Sequence, residues 1–384
     1  MRFLPSPSRL KTWSWILLFS CLQAPGAARA AVSVLTQHND NNRSGANLLE
    51  TALTTANVNQ GQFGKLFTDA VDDQIYTQPL YVPGVAIAGG THNVVYVATM
   101  SDSVYAFDAD APGAPLWHDS FTNPPSVVPV NHTQVGGNCG NYQDISGNIG
   151  ILGTPVINGN VIYLVARTFE NGTTFVQKLH ALDIRSGAEM ANSPVVIQAT
   201  APGTGTGSVN GTLTFDPQIQ NQRAALGFFN NTVYIFYSSH CDTGNYHGWM
   251  FGYNGTSLQQ TLVSDTTPNG GDGSIWESGQ GPAIDASGNF YFMTGNGVFD
   301  VSSGGSDLGD SFVKLNSSLS LQDWFTPFNQ ATLDGSDADL GCGGLLLIPG
   351  TSLVTGGGKE GRLYLVNGTN MGHFNASADQ ITQE

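Results

Sequence analysis

VVYVATMSDSVYAFD, residues 94–108, reads as two strands of alternating apolar residues joined by a short polar turn. Side chains that alternate with period two line opposite faces of a sheet. The turn after Met100 carries Ser101 and Asp102, small polar residues that favour a tight reversal. Upstream lies TQPLYV (77–82) after a polar stretch, and downstream lies APLWHDSF (114–121). Together they make a unit of four short strands, running from about Gln74 to Thr122.

The same unit recurs along the chain. A second copy has GTPVI (153–157), VIYLVART (161–168), FVQKLHALD (175–183) and SPVVIQA (193–199). A third has QRAALGF (222–228), TVYIFYSSH (232–240), HGWMFGYN (247–254) and LQQTLVS (258–264). The fourth has QGPAID (280–285), FYFMTGNG (290–297), DSFVKLN (310–316) and LQDWFTP (321–327). The fifth has GGLLLIPG (343–350), SLVTGG (352–357), GRLYLVN (361–367) and a final DQITQE (379–384).

A four-stranded sheet with two apolar faces cannot bury both alone. Radial stacking buries both faces and leaves only short edges. A two-layer β-sandwich would not account for five successive units in one register. The expectation is an all-β fold, a β-propeller of four-stranded blades with about five blades present. Repeats of this kind usually build seven or eight blades, so the expectation includes a truncated seven- or eight-bladed ring. FGKLFTDAV (63–71) precedes the first unit and is expected to be an outer strand completing the last blade.

Composition agrees with this architecture. There are 48 glycines, and 40% of residues are hydrophobic, arranged in patterned strands rather than low-complexity tracts. Arg2, Arg9 and Lys11 precede the short apolar run Thr12–Leu22, and Ala28-Arg29-Ala30 has the small-x-small form of a cleavage site. The run is shorter than the about 20 residues needed to span a bilayer. Residues 1–30 are therefore expected to be a signal peptide, residues 31–62 an N-terminal extended segment and residues 63–384 the propeller. The expected location is secreted or periplasmic, with no integral membrane segment after cleavage.

Charged residues make up 11% of the chain, and the formal net charge is -16. Nine basic residues remain against 29 acidic ones once the leader is set aside. That balance excludes nucleic acid, which needs clustered Lys and Arg, and an anionic membrane surface. Three cysteines follow the leader: Cys139, Cys241 and Cys342. Export favours a disulfide, the odd number leaves a thiol over, and we take Cys139–Cys241 as the expected pair.

The repeats VYAFD (104–108) leading to Leu116-Trp117, and LHALD (179–183) leading to Ser186-Gly187, resemble those of quinoprotein alcohol dehydrogenase-like propellers. The blocks QHNDNNRSGANLLET (37–51), SHCDTGNYHGWMFGYN (239–254), TTPNGGDGSIWESGQGPAIDASGNFYFMTGNGVFD (266–300) and DADLGCGGLLLIPG (337–350) followed by GGGKEGRLYLVN (356–367) resemble a branch of secreted bacterial propeller proteins. For the dehydrogenases, the resemblance implies pyrroloquinoline quinone in a central funnel against a tryptophan. It also implies a calcium ion held by Glu, Asn and Asp, an Asp acting as general base, and a disulfide between adjacent cysteines. This chain has no adjacent cysteine pair, and its repeats do not place the Glu, Asn and Asp set, so neither quinone nor calcium is assigned from sequence.

Residues just before the leading strand of each unit can face a central channel. Gln78, Thr154, Trp276, Gln280 and Cys342 are the expected channel lining. His240, Asp242 and His247 are candidate metal ligands in a loop of the third unit, set against the alternative that they order a long loop around a disulfide-bonded Cys241. The groups Asp334, Asp337, Asp339 and Asp300, Asp307, Asp310 suggest calcium, but they fit ordinary turn aspartates better than a helix-loop-helix site. Trp117 and Trp324 are expected to pack between blades. No nucleophile elbow, phosphate loop or two-histidine metalloprotease motif is present.

The expected function is an exported binding or scaffold propeller that takes a protein, glycan or small-molecule ligand at its central face. The alternatives are a quinone-dependent alcohol dehydrogenase and an envelope-assembly scaffold.

Overall fold

A computed structural model describes residues 32–136 and 144–384. The leader and Cys139 lie outside the described residues. Val32–Glu384 form one compact unit.

The first sheet takes Leu80–Ile87, Gly90–Ala98, Ser103–Asp108 and Trp117–Ser120 in chain order. The second repeats the plan with Val156–Asn158, Val161–Glu170, Thr174–Asp183 and Val195–Val196. Its long central hairpin also pairs with Val127–Asn131, an addition from the connection between the first two sheets. The third sheet is Gly227–Phe229, Thr232–Phe236, Trp249–Asn254 and Gln260–Asp265. The fourth is Ala283–Ile284, Phe290–Met293, Phe312–Leu315 and Leu321–Phe325. The fifth has three strands, Leu346–Leu347, Leu353–Gly357 and Leu363–Asn367, and Gln383 bridges to Leu365 on its outer side.

Period-two patterning explains the stacking. In the second sheet Ile162, Leu164 and Ala166 pack on Val94, Tyr96 and Ala98 of the first. The intervening Tyr163 and Val165 pack on Val233, Ile235 and Phe251 of the third. The third sheet's other face, with Tyr234 and Phe236, meets Phe290, Phe292 and Val313 of the fourth. Tyr291, Met293 and Phe312 of the fourth meet Val354, Tyr364 and Val366 of the fifth. The second, third and fourth sheets therefore bury both faces on their sequence neighbours, and the first and fifth each bury one face in this way, as in a β-propeller. Trp117 and Trp324 are 9% exposed and sit in these inter-sheet cores.

The sequence pattern does not show what covers the leading strands. Residues 34–43 run past the leading strands of all five sheets and serve the free backbone groups there. Val34 pairs with Tyr81 in the first sheet, and Leu35 O accepts from Ile157 N at 2.8 Å in the second. Arg43 Nη2 donates to Leu226 O, just ahead of the third, at 3.4 Å. Asn41 O accepts from Ile284 N at 2.6 Å in the fourth, and Asn42 O from Leu347 N at 3.0 Å in the fifth. Left-handed backbone at His38, Asn39 and Arg43 turns this strap sharply, which suits its Asn-rich composition.

Phe63–Val71 differs from expectation. It forms no strand. Val71 instead packs beside Val97, Tyr105 and Phe107 on the outer face of the first sheet. The adjacent Asp72 takes hydrogen bonds from Thr99 Oγ1 at 2.7 Å and Ser103 Oγ at 2.6 Å, which tethers the segment there.

Candidate functional site

A cavity of about 310 Å³ opens where loops of the third, fourth and fifth sheets meet. Ser238 and Ser239 form a short strand paired with Gln220–Asn221 in the third unit, Cys241 and Asp242 follow it, and Ser274, Trp276 and Gly295 come from the approach to the fourth sheet and its hairpin. Asp337, Asp339, Gly341, Cys342 and Lys359 come from the fifth, with Asp144 at the rim. A larger groove of about 570 Å³, near Phe175 and Ile197, has no ionisable side chain in its lining. Its polar lining is threonine and glutamine alone, without the titratable groups that mark a reactive or charge-selective pocket, so the smaller cavity is the candidate site.

Unusual backbone conformations surround this cavity. Cys241, Asp242, Glu277, Ser278 and Asp337 all have φ near +50°, and so does the neighbouring Asp310. Left-handed backbone costs a non-glycine residue roughly 1–2 kcal/mol and persists where the surroundings enforce it, commonly at functional sites. At Glu277-Ser278-Gly279 three consecutive positive φ values turn the chain back on itself. Trp276 is thereby left half-buried at the cavity while Glu277 is fully buried behind it. Trp276 Nε1 donates to Ser278 Oγ at 3.2 Å, and Ser278 Oγ donates to Cys342 O across the site.

Behind the tryptophan lie a buried carboxyl, Glu277, and a buried guanidinium, Arg43. Glu277 Oε1 accepts from Met293 N at 3.3 Å, and Oε2 has no hydrogen-bond partner. Burial pushes its pKa well above the usual carboxylate range, against the pull of the Met293 N–H and the Arg43 charge. Arg43, on the strap, is 1% exposed. Its Nε donates to Gly281 O and Pro282 O, both at 3.1 Å, and its Nη1 to Thr36 Oγ1 at 2.6 Å and Gln37 O at 3.0 Å. Burial lowers the Arg43 pKa to about 10, opposed by the negative charges of Glu277 and Asp40.

On the opposite wall, Lys359 Nζ lies 2.6 Å from Asp339 Oδ2 and 3.0 Å from Asp337 Oδ1. Asn296 Nδ2 also reaches Asp337 Oδ1, at 3.3 Å, and Asn296 N donates to Asp339 Oδ1 at 2.9 Å. Asn296 Oδ1 is buried without a partner. Asp310, wholly buried, accepts from Leu340 N at 3.1 Å, and its Oδ2 has no hydrogen-bond partner. Burial, with the like charges of Asp339 and Asp334, raises the Asp310 pKa to about 7, while the Leu340 N–H and the Gln330 amide pull it down.

Of the residues expected at a channel, Trp276 and Cys342 line this cavity. The others serve the strap and its surroundings. Gln78 Oε1 accepts from His38 N at 2.9 Å, and Gln78 N donates to Thr154 Oγ1 at 2.9 Å. Gln280 Nε2 donates to Leu345 O, and its side chain bonds to His38. Because residues 34–43 pass over the leading strands, these side chains hold the strap instead of lining a cavity.

The three candidate metal ligands are not brought together. His240 is fully buried against Arg167 Nη1, and burial together with the Arg167 charge pushes its pKa well down. His247, 2% exposed, has its ring nitrogens against Thr267 O at 3.1 Å and Thr206 O at 2.9 Å, so it links two loops. Asp242 alone reaches the cavity, where its Oδ1 accepts from Tyr246 Oη at 2.8 Å. Cys241 is disulfide-bonded, and the expected pairing with Cys139 lies outside the described residues. Asp300 and Asp307 have turn roles: Asp307 N donates to Asp300 Oδ1 at 2.8 Å, and Asn269 N to Asp307 Oδ1 at 3.0 Å. No local spacing links Lys359, Asn296 and Asp310 to Trp276, so the sequence alone does not gather them.

No protein-family model matches the chain, and no curated protein is significantly similar to it. Solved structures do match. Quinohemoprotein alcohol dehydrogenase ADHIIG from Pseudomonas putida HK5 superposes with a TM-score of 0.61 at 16% identity, over 89% of this chain and 47% of that one. Quinohemoprotein alcohol dehydrogenase from Comamonas testosteroni gives 0.59 at 16% identity, over 90% and 49%. A europium-containing methanol dehydrogenase gives 0.53 at 14% identity, over 88% and 56%. The chain thus has the quinoprotein alcohol dehydrogenase-like β-propeller fold and spans about half the length of the structures it matches.

Proposed function

We propose that this chain is an exported β-propeller that binds a small polar ligand in the Trp276 cavity. The observation that carries the reading is the half-buried indole of Trp276, held at the cavity by the three-residue left-handed turn at Glu277-Ser278-Gly279. A flat aromatic face beside serine hydroxyls, carboxylates and a lysine is the chemistry that orients a compact hydroxylated or charged ligand. Export is the reading of Arg2 to Ala30, and N-terminal sequencing of the processed protein tests it. For binding, ligand titration should change tryptophan fluorescence in the native protein. The Trp276→Phe variant should lose that change while unfolding at an unchanged temperature. An equal fluorescence response in Trp276→Phe would place the ligand elsewhere.

A second reading is quinone-dependent alcohol oxidation. Trp276, Asp337 and Asp339 line one cavity and Asn296 bonds to both aspartates, which favours it, because the resemblance implies a tryptophan platform with Asn and Asp donors. The residues present do not fit the calcium ion. Asp337 and Asp339 already hold the Lys359 ammonium, Glu277 is turned into the core, and among the described residues no three His, Cys, Asp or Glu side chains converge as a metal site. No catalytic step is therefore assigned. Adding pyrroloquinoline quinone and calcium, then recording bound-cofactor absorbance and dye-linked alcohol oxidation, tests this reading. A signal in both would move the chain from binding protein to oxidoreductase.

A further inference from the structure

We propose that the groove beside Phe175 and Ile197 takes an extended peptide segment of a protein partner, added as a strand to the second sheet, with an uncharged apolar side chain at its centre. This site is separate from the Trp276 cavity. Its origin is the shortness of one strand. Thr174–Asp183 is ten residues long, but its outer neighbour Val195–Val196 pairs only with Leu179 and Lys178. In the third sheet, by contrast, the outer strand Gln260–Asp265 runs beside Trp249 to Tyr253. In the second sheet Ile197 N still donates to Gln177 O at 2.9 Å, and there the chain leaves. Gln177 thus turns its backbone outward, away from Val161–Glu170, and Phe175, two residues along the same unbroken register, does so too. Among the described residues, no group bonds to the outward N–H or C=O of Phe175.

The opposite wall is already in place. Beyond Ile197 the chain forms a hairpin of Thr200–Pro202 with Thr212–Thr214. Gln260 Nε2, on the third sheet's outer strand, donates to Gln198 O at 3.1 Å and fixes the approach to that hairpin. Open edge and hairpin enclose about 570 Å³. A second, independent feature lies in the lining. Gln177 is wholly buried, and its Nε2 donates to Pro217 O at 3.1 Å and Gln220 O at 2.8 Å, which leaves its Oε1 without a hydrogen-bond partner. A buried acceptor of that kind is costly until a donor reaches it. An extended peptide brings N–H and C=O groups at the repeat of a strand edge and so serves Phe175 and Gln177 together. A compact apolar ligand would fill the space and leave both unpaired. Ile197 and Phe215 are buried in the lining, so the side chain that enters is apolar. With no ionisable lining residue, a charged side chain would lose its water and gain no partner.

The probe is the capped peptide acetyl-Thr-Val-Thr-Val-Thr-amide, titrated by calorimetry against the full chain. Two counterparts accompany it, one N-methylated at every residue and one with lysine in place of each valine. The parent peptide is expected to bind and to slow hydrogen exchange of the Phe175 amide at least about tenfold. N-methylation should weaken binding by at least about three- to tenfold, the worth of one backbone hydrogen bond, and lysine by more than about tenfold. Thr200→Trp, at the exposed rim, should fill the groove and abolish binding at an unchanged melting temperature, and Trp276→Phe should leave binding as it is. Equal binding of the N-methylated peptide, or an unprotected Phe175 amide in the saturated complex, would overturn the added strand. Absence of binding at millimolar concentration would overturn the site, and loss of binding in Trp276→Phe would move the peptide to the other cavity. A dimer of the native chain that Thr200→Trp dissolves would assign the groove to a second copy and overturn the peptide reading.

Discussion

Arg43 shows how much a single side chain does in this molecule. Its guanidinium is 1% exposed and reaches two adjacent carbonyls more than two hundred residues away in sequence, at Gly281 and Pro282. Truncation would leave those carbonyls, and the Glu277 carboxyl beyond them, without their positive partner. Arg43→Ala is expected to cost about 3–5 kcal/mol, the usual consequence of breaking a buried charge network. Arg43→Lys should restore part of that, because it keeps the charge but not the planar fork. Urea unfolding followed by circular dichroism reads both. Asp310 gives a pH signature. Its folded pKa is about 7, above the ordinary value of 3.8, so the folded state holds a proton that the unfolded chain releases. Its contribution is therefore most favourable below pH 4, falls as pH rises towards 7, and is constant above that. Asp310→Asn should gain stability relative to the native chain over that interval, and an unchanged difference between pH 4 and pH 8 would contradict the burial argument.

At the scale of elements, strand patterning and loop conformation behave differently. The strands follow from local alternation, and every repeat unit read from sequence forms a sheet, with margins shifted by a few residues. The third unit's first strand, read from Gln222, starts only at Gly227, because residues 222–226 lead in from the strap-facing side and pair there: Leu226 N donates to Thr154 O at 3.0 Å. Close approach of the sheets' leading ends also sets residue size. A Cβ at Gly281 would stand 2.6 Å from Ala225 O and 2.8 Å from Arg43 Nη2. The backbone oxygen cannot step aside, so Gly281→Ala is expected to destabilise by about 1–3 kcal/mol. Differential scanning calorimetry would show it as a lowered melting temperature, with Gly335→Ala, in open space, as the control.

In the whole molecule, each apolar core joins only neighbouring sheets, so stability passes from one sheet to the next. The strap at 34–43 is the element that touches all five sheets. Removing residues 32–45 should therefore do more than lower the melting temperature. It should broaden a single transition into several, seen as disagreement between calorimetric and van't Hoff enthalpies. A sharp, single transition after that deletion would show that neighbour packing alone makes the sheets cooperate.

Local pattern is enough for the all-β class, the four-stranded unit and its recurrence, because those depend on side chains two residues apart and on turns of a few residues. It also singled out Trp276, Cys342 and Asp242, which stand at loop positions beside the strands. Stacking of the sheets is what brings Lys359 into the cavity lining, with Asn296 and Asp310 bonded to the loop behind it, ties Gln78, Thr154 and Gln280 to the strap, and keeps His240 and His247 apart. The reason is reach. A hydrogen bond such as Arg43 to Gly281 spans 238 positions. No periodicity encodes a contact of that span, and it exists only once the sheets have stacked and brought their leading strands to one place.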